Sequence, residues 1–258
     1  MTGSFKERGA LNRLLTLTPD EAKRGVIAAS AGNHGMALAF HSQRLKIAAT
    51  IVMPLHAPLI KVSRVRQLWR PKPYSTAPTT IQPLRKLSAS PGKRTHLDSR
   101  LQRPWVVAGQ GTIGLELYEQ NPDLNAVVVP VGGGGLIAGI GLVLKTINPE
   151  DSDHRRASGS PPIYESCFRK GRPIRLPPAM TIADGIAVRE VGKTTLELVK
   201  NYVDEIVTVN EGEIANAVLL LLETEKQLWK PLLPLHSQQS STKTGLANTN
   251  VGPRYLRR

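Results

Sequence analysis

The segment 2–10 of the sequence, TGSFKERGA, places a lysine, Lys6, in the first turn of an expected helix. A lysine amine can condense with an aldehyde, and its pKa falls readily when the side chain is withdrawn from water. A lysine at such a position is by itself more often a solvated surface residue. Lys6 therefore predicts covalent carbonyl chemistry only together with other motifs.

The segment Ser30-Ala31-Gly32-Asn33-His34-Gly35 lies between a short apolar strand and a helix. Backbone N–H groups at such a junction point toward the same space as the positive end of the helix dipole, which favours an anion. An ordinary tight turn has the same pattern. The loop alone leaves both interpretations open.

A run of four glycines, Gly132 to Gly135, follows the apolar segment 126–131 and precedes Leu136. Glycines allow backbone amides to close around a phosphate at a helix N-terminus. A glycine run is more often only a flexible turn. A strand before it and a helix after it favour the phosphate-binding interpretation.

In this order and at this spacing, the three motifs resemble those of the fold-type II pyridoxal-phosphate enzymes. Within that class they are similar to the serine/threonine dehydratase family, which contains threonine ammonia-lyases and serine racemases. Segments 53–61, 108–112 and 181–188 match the family as well. The resemblance implies an α/β fold like that of the tryptophan synthase β subunit, with two parallel-sheet domains, both incomplete here, and pyridoxal 5′-phosphate as the cofactor.

The resemblance also implies roles for individual residues. Lys6 is the implied catalytic residue, which binds the cofactor covalently, with Phe5 beside it. The other implied cofactor contacts are Asn33, Gly132, Gly133, Gly134, Gly135 and Leu136. The implied substrate loop comprises Ser30, Ala31, Gly32, Asn33 and His34, and His34 is expected to be structural rather than an acid or base. No metal ligand is predicted.

Ala31 separates two branches of this family. Similar serine racemases carry a second serine at this position, which acts as a base on the opposite face of the cofactor, and alanine cannot exchange a proton. The sequence therefore favours deamination of L-threonine, and of L-serine, to 2-oxobutanoate or pyruvate and ammonia. A serine racemase-like enzyme and a non-catalytic pseudogene product remain as alternatives, and a biosynthetic role in isoleucine formation is not separated from threonine catabolism.

Hydrophobic periodicity and capping signals predict alternating helices and strands, an order typical of a parallel sheet covered on both faces. Ser4 with Glu7, Thr18 with Glu21, and Asn210 with Glu213 have the spacing of capping boxes. The predicted helices are 4–15, 19–24, 35–45, 58–66, 109–120, 136–147 and 210–226. The predicted strands are 26–29, 47–53, 126–131 and 203–209.

Most of the net charge of +14 comes from two segments that lack this periodicity. Residues 67–104 hold eight basic residues, one acid and six prolines, and residues 227–258 hold five basic residues and no acid. Neither has the interleaved aromatic residues of a surface that stacks on nucleic acid bases. We therefore expect no nucleic acid partner, and an amino acid as the small-molecule ligand.

Both segments, with the irregular patch 151–162, depart from the family pattern. We hypothesise that they are read in a shifted frame, because ACA-ATT-GTG-GAA read one base late encodes Gln-Leu-Trp, the residues found at 227–229. The predicted large cofactor-binding domain is 1–18 with 109–226, lacking its N-terminal part, and the predicted small domain is 19–108. The tail 227–258 is expected to be non-native, and activity to be lost or impaired.

The remaining features indicate a cytoplasmic protein. Cys167 is the single cysteine, which fits a reducing compartment, and no motif marks it as a nucleophile. The segment 125–144 is uncharged, but Pro130 and the glycine run suit a strand, a loop and a helix better than a membrane span. No membrane partner is predicted, and the resemblance implies a homo-oligomer.

Overall fold

The computed structural model describes residues 2–30, 32–53, 59, 62–63, 65, 79–83, 104–124, 126–148, 156–158, 163–177, 181–183 and 185–225. The chain divides into two compact units, Met1–Gln110 and Gly111–Arg258. Among the described residues, every helix is too short or too polar to cross a bilayer.

The first unit contains a parallel sheet with helices before and between its strands. Its sheet has the order β1-β2-β3, with Val26 paired to Ala49 and Ala49 paired to Thr79. The elements are α1 (Lys6–Leu15), α2 (Pro19–Arg24), β1 (Val26–Ala29), α3 (Asn33–Arg44), β2 (Ala49–Met53) and β3 (Thr79–Pro83). The predicted parallel α/β arrangement is confirmed.

Helix α2 has the ends that the sequence predicts. The Thr18 hydroxyl accepts a hydrogen bond from the Glu21 N–H at 3.2 Å, and the Glu21 carboxylate accepts one from the Thr18 N–H at 2.9 Å. Gly25 ends the helix with a φ of 78°, and a Cβ there would lie 2.6 Å from the Ala48 carbonyl oxygen. Only glycine fits this position, because φ is positive and strand β2 passes close by.

The core of the first unit lies between α3 and the sheet. Helix α3 buries Met36, Leu38 and Ala39, and the strands contribute Ala28 and Ile51 to the same cluster. Burial of apolar surface at roughly 25 cal/mol per Å² holds the helix on the sheet. This packing fixes the loop between β1 and α3.

The expected capping box at the start of α1 is not formed. Phe5 is the N-cap residue and makes no side-chain capping bond. The Ser4 hydroxyl accepts a hydrogen bond from the Lys6 N–H at 3.3 Å and not from the Glu7 N–H. The Glu7 carboxylate accepts hydrogen bonds from the Thr2 N–H and hydroxyl instead. The prediction was wrong because Thr2 supplies both donors that this carboxylate binds among the described residues.

The second unit contains a two-stranded parallel sheet, in which Arg156 pairs with Glu205. Helix α4 (Pro104–Gln120) begins in the first unit and continues into the second. The other elements are α5 (Gly135–Ile147), β4 (Arg156–Ser158), α6 (Ile163–Lys170), α7 (Lys193–Tyr202), β5 (Glu205–Val207) and α8 (Glu211–Glu225).

Several sequence expectations change here. Strands β3 and β4 lie inside the stretches expected to be irregular, so those stretches are not without regular structure. The described residues of the predicted strand 126–131 form no strand, although Val129 and Val131 are buried. Helix α4 begins at Pro104, five residues before its expected start, and α6 and α7 were not predicted.

Other expectations are confirmed or stay open. Asn210 and Glu213 form the predicted capping box, with reciprocal hydrogen bonds of 2.7 and 3.0 Å. Most of the predicted helix 58–66 and all of the tail 227–258 lie outside the described residues. The assignment of 1–18 and 109–226 to one large domain stays a prediction.

Helix α1 crosses the start of α4 with the two backbones in contact. A Cβ at Gly109 would lie 2.6 Å from the Gly9 Cα, and a Cβ at Gly9 would lie 2.7 Å from the Val106 carbonyl oxygen. The Asn12 side-chain amide donates a hydrogen bond to the Trp105 carbonyl at 2.6 Å. Any larger residue at either glycine would push α1 away from α4.

Substitution Gly109→Ala is expected to destabilise the chain by roughly 1–3 kcal/mol through overpacking. This loss of stability is opposite in sign to the effect of helix propensity, which favours alanine over glycine by about 1 kcal/mol. Chemical denaturation measures the difference. Gly212→Ala in α8 is the matched control, because its Cβ would meet only the Asn210 Oδ1, at 3.2 Å. A Gly109→Ala variant as stable as the control would contradict the close crossing.

Candidate cofactor site

Lys6 is the first residue of α1, and its side chain is half-buried. Its Nζ lies 4.5 Å from the centre of the Phe5 ring. Burial lowers the pKa of the Lys6 amine from 10.5 to about 8, because the ammonium form loses its hydration. With this pKa, about a quarter of the amine is neutral at pH 7.5, against about one part in a thousand at the ordinary value.

Glu7, the next residue, connects α1 to α3. Its carboxylate lies 3.5 Å from the His41 Nε2, and both side chains are largely buried. Burial lowers the pKa of His41, and the charge of Glu7 opposes that effect. Burial alone would raise the pKa of Glu7, but hydrogen bonds from Thr2 outweigh it and the net direction is downward. At pH 7 a neutral His41 imidazole therefore faces the Glu7 carboxylate. This contact joins α1, the helix that carries Lys6, to α3.

The loop between β1 and α3 is organised by its own first residue. The Ser30 hydroxyl accepts hydrogen bonds from the Gly32 N–H at 3.3 Å and the Gly35 N–H at 3.2 Å. A Cβ at Gly35 would lie 2.6 Å from the Ser30 carbonyl oxygen. Ser30 therefore shapes the loop, and its expected contact with the substrate stays a prediction.

The other predicted loop residues lie at the start of α3. Gly32 is its N-cap, Asn33 is its first residue, and His34 is buried in the first turn. Ala31 lies outside the described residues. His41, which contacts α1, is eight residues after Asn33 in α3. At the rise of an α-helix, these two residues are about 12 Å apart along the helix axis.

The glycine run forms the N-terminus of α5 in the second unit. Gly134 is the N-cap with a φ of 82°, a left-handed conformation that suits glycine. A Cβ at Gly133 would meet no atom of the described residues within 4 Å, so this part of the loop is open with respect to them. The first turn of α5, which includes half-buried Leu136, contains no acidic residue. An open glycine at an unopposed helix N-terminus is suited to a phosphate.

The segment 181–188 supports the glycine run from one side. A Cβ at Gly132 would lie 3.1 Å from the Ile186 Cα and 3.3 Å from a methyl group of Val188. The carboxylate of Glu211 accepts a hydrogen bond from the Ile182 N–H at 2.9 Å. Hydrogen bonds from Thr181 and from Ile182 lower the pKa of Glu211.

The predicted site residues that the structure describes fall in both units. Lys6 and the described residues of the substrate loop belong to the first unit, and the glycine run belongs to the second. Both groups fit pyridoxal phosphate, since a desolvated amine suits its aldehyde and a glycine-lined helix N-terminus suits its phosphate. Sequence reasoning missed the supporting residues His41 and Glu211, because their roles come from contacts distant in sequence.

A family model described as pyridoxal-phosphate dependent enzyme matches residues 1–232. The chain belongs to this family, and pyridoxal phosphate is the family's cofactor. The matched span includes the segments 67–104 and 151–162, which sequence analysis placed outside the family pattern.

Curated relatives indicate the branch of the family to which this chain is similar. The L-threonine ammonia-lyase of Thermotoga maritima is 45% identical over 234 residues, which cover 87% of this chain and 56% of that protein. The catabolic L-threonine dehydratase TdcB of Escherichia coli is 37% identical, with 87% and 68% covered. The predicted membership of the threonine ammonia-lyase branch is confirmed. The chain spans about half the length of several curated relatives.

Solved structures give the same result for the fold. The processed form of threonine deaminase isoform 2 from Solanum lycopersicum has a TM-score of 0.79 and 32% identity, covering 91% of this chain and 68% of that one. The serine racemase of Dictyostelium discoideum has a TM-score of 0.78 and 30% identity, covering 92% and 76%. The predicted fold class is confirmed.

Labelling of Lys6 with an amine-reactive reagent is expected to show a midpoint near pH 8, because only the neutral amine reacts. Mass spectrometry of the labelled peptide over a pH series measures the midpoint. Nα-acetyl-lysine amide in the same reaction is the control, with an ordinary pKa of about 10.4. A midpoint above pH 10 for Lys6 would show that the amine is fully hydrated.

Proposed function

We propose that this chain carries the site for deamination of L-threonine, and of L-serine, with pyridoxal phosphate bound through Lys6. The observation that carries the proposal is the half-buried Lys6 amine, whose pKa is lowered to about 8. An amine that is partly neutral near pH 8 can condense with an aldehyde and can later accept a proton. The names of the relatives support threonine as the substrate.

Each group of residues has a task in this proposal. Once the substrate amine takes its place on the cofactor, the freed Lys6 Nζ would accept the proton from the α-carbon of the substrate. The loop that Ser30 organises holds the substrate carboxylate at the N-terminus of α3, and Asn33 contacts the cofactor. The glycine run holds the cofactor phosphate. When bound, the cofactor withdraws electron density from the α-carbon.

The reaction then proceeds by elimination. Removal of the α-proton by Lys6 allows the β-hydroxyl to leave as water, and the released enamine takes up water to give 2-oxobutanoate and ammonia. Atoms balance, because the α-proton and the β-hydroxyl leave together as one water, and the water taken up later supplies the oxygen of the ketone and the hydrogens needed to release ammonia. A single base is enough for this sequence, in contrast to racemisation, which returns a proton to the opposite face.

We also propose that turnover of this chain is low or lost. The support is the sequence of 67–104 and 227–258, with their concentrated positive charge and absent periodicity. A natural domain has only about 5–15 kcal/mol of net stability, so non-native segments readily exceed the margin. The nucleotide sequence tests the shifted-frame hypothesis, which fails if neither alternative frame restores family-like residues.

A cytoplasmic location belongs to the same proposal. Cys167, the single cysteine, is a free and buried thiol. A chain with one thiol and no disulfide suits a reducing compartment.

Substitution Lys6→Ala is expected to abolish release of 2-oxobutanoate from L-threonine, because no other residue of the proposal supplies the amine. Lys200→Ala on the exposed face of α7 is the matched control and should leave turnover unchanged. A coupled dehydrogenase assay measures the product, and turnover below that of the Thermotoga maritima relative is expected.

The same preparation separates the alternatives. Formation of D-serine from L-serine without pyruvate would favour the racemase. Reduction with borohydride after incubation with pyridoxal phosphate should leave a pyridoxyl group on Lys6 even if turnover is absent. A chain that is neither labelled at Lys6 nor active would be a non-catalytic protein, and the proposal would fail.

A further inference from the structure

Two buried hydroxyl groups lie under the glycine run and have no hydrogen-bond partner among the described residues. They belong to Tyr164 on α6 and Thr195 on α7, and both residues are fully buried. Leaving a buried hydroxyl unpaired costs about 1–3 kcal/mol, so native proteins rarely tolerate it without a reason. Two such groups beside one loop call for a common explanation.

Both side chains approach the same residue. A Cβ at Gly134 would overlap the Tyr164 hydroxyl, and it would lie 2.8 Å from the Thr195 methyl group. Gly134 is the N-cap of α5, so the Tyr164 hydroxyl lies at the positive end of that helix. The two helices thus deliver their hydroxyl-bearing side chains to the place where the glycine run would hold an anion.

We propose that the Tyr164 hydroxyl, with Thr195 beside it, donates a hydrogen bond to the phosphate held at the N-terminus of α5. The inference rests on the proposed function, since the phosphate is that of the cofactor. It adds a buried donor to the backbone amides of the glycine run. Glycine at 134 is then required by the tyrosine as well as by the backbone, because any side chain there would displace the hydroxyl.

The environment keeps the tyrosine in the donor form. Burial raises the pKa of Tyr164, and the neighbouring Cys167 acts in the same direction. The hydroxyl therefore stays protonated at any working pH and adds no negative charge that would repel a phosphate. The Phe168 ring lies 6.0 Å from the Tyr164 ring in an edge-to-face contact, which helps to fix its position.

With this arrangement, Tyr164→Phe is expected to affect the stability of the ligand-free chain and its affinity for pyridoxal phosphate in opposite directions. Tyr164→Phe removes only the unpaired oxygen, so the ligand-free chain should be as stable as the wild type or slightly more stable. Affinity for pyridoxal phosphate should fall roughly tenfold or more, because a hydrogen bond to a charged group is lost. A tyrosine that served only in packing within the protein would move neither quantity appreciably.

The test compares the full-length wild type with Tyr164→Phe, Thr195→Val and the control Tyr118→Phe, which makes the same chemical change on α4. Binding of pyridoxal phosphate, pyridoxal and inorganic phosphate is titrated by absorbance or calorimetry, and unfolding of each ligand-free chain is measured. We expect Tyr164→Phe to weaken both phosphate-bearing ligands and to leave pyridoxal unchanged. Thr195→Val should act in the same direction if Tyr164→Phe fails to fold.

Phosphorus-31 NMR adds a signature that loop packing would not give. A donor to the dianion favours that form, so Tyr164→Phe should raise the pKa of the bound phosphate. Unchanged affinity and an unchanged phosphate pKa in both variants would overturn the inference while the proposed function stood. Wild-type binding of inorganic phosphate, weakened in Tyr164→Phe, without binding of pyridoxal phosphate would overturn the proposed function alone. Binding of neither would overturn both.

Discussion

The chemistry proposed for this chain depends on keeping one amine out of water. An ammonium group resists desolvation, so the half-buried position of Lys6 requires the rest of α1 to be held in place. Three contacts hold it: the backbone crossing of Gly9 with Gly109, the hydrogen bond from Asn12 to the Trp105 carbonyl, and the Glu7–His41 contact with α3. Loosening any of them would rehydrate the amine and return its pKa toward the ordinary value.

In the second unit, the group suited to an anion is the N-terminus of α5 and not a charged side chain. Its backbone N–H groups carry the partial positive charge. The first turn of α5 carries no acid, and Gly133 in the run before it has no described atom within 4 Å of where a Cβ would lie. The segment that packs on Gly132 is tied down in turn by the Glu211 carboxylate. A rigid loop matters because a preorganised anion site loses little entropy when its ligand binds.

Features of the fold that depend on contacts between residues close in sequence could be predicted from the sequence. Features that depend on contacts between distant residues could not. The capping boxes at Thr18 and Asn210 are local, and both form as predicted. The box at Ser4 fails because Thr2 and His41 compete for the same carboxylate. Strands β3 and β4 have five and three residues within segments of irregular composition, which is too short for a detectable period.

The residues of the candidate site can be divided in the same way, into those that the sequence indicates and those that only the fold reveals. Lys6, the Ser30 loop and the glycine run are visible in the sequence because their residue types are unusual and contiguous. The residues that support them are ordinary types on other elements. Nothing in the sequence around Tyr164 indicates that its hydroxyl lacks a partner among the described residues, since that property arises only when α6 and α7 pack beneath Gly134.

The desolvated amine and the unpaired hydroxyls share one energetic consequence. Each costs the ligand-free fold free energy, on the order of 1–3 kcal/mol for a buried hydroxyl, within a total of about 5–15 kcal/mol. A ligand that condenses with the amine and accepts from the hydroxyls removes these costs, and it stabilises the fold further in proportion to the logarithm of its concentration over its Kd. On the proposed function, stability and occupancy are therefore coupled, because the groups that lower the stability of the ligand-free protein are the groups that would select a ligand with an aldehyde and a phosphate.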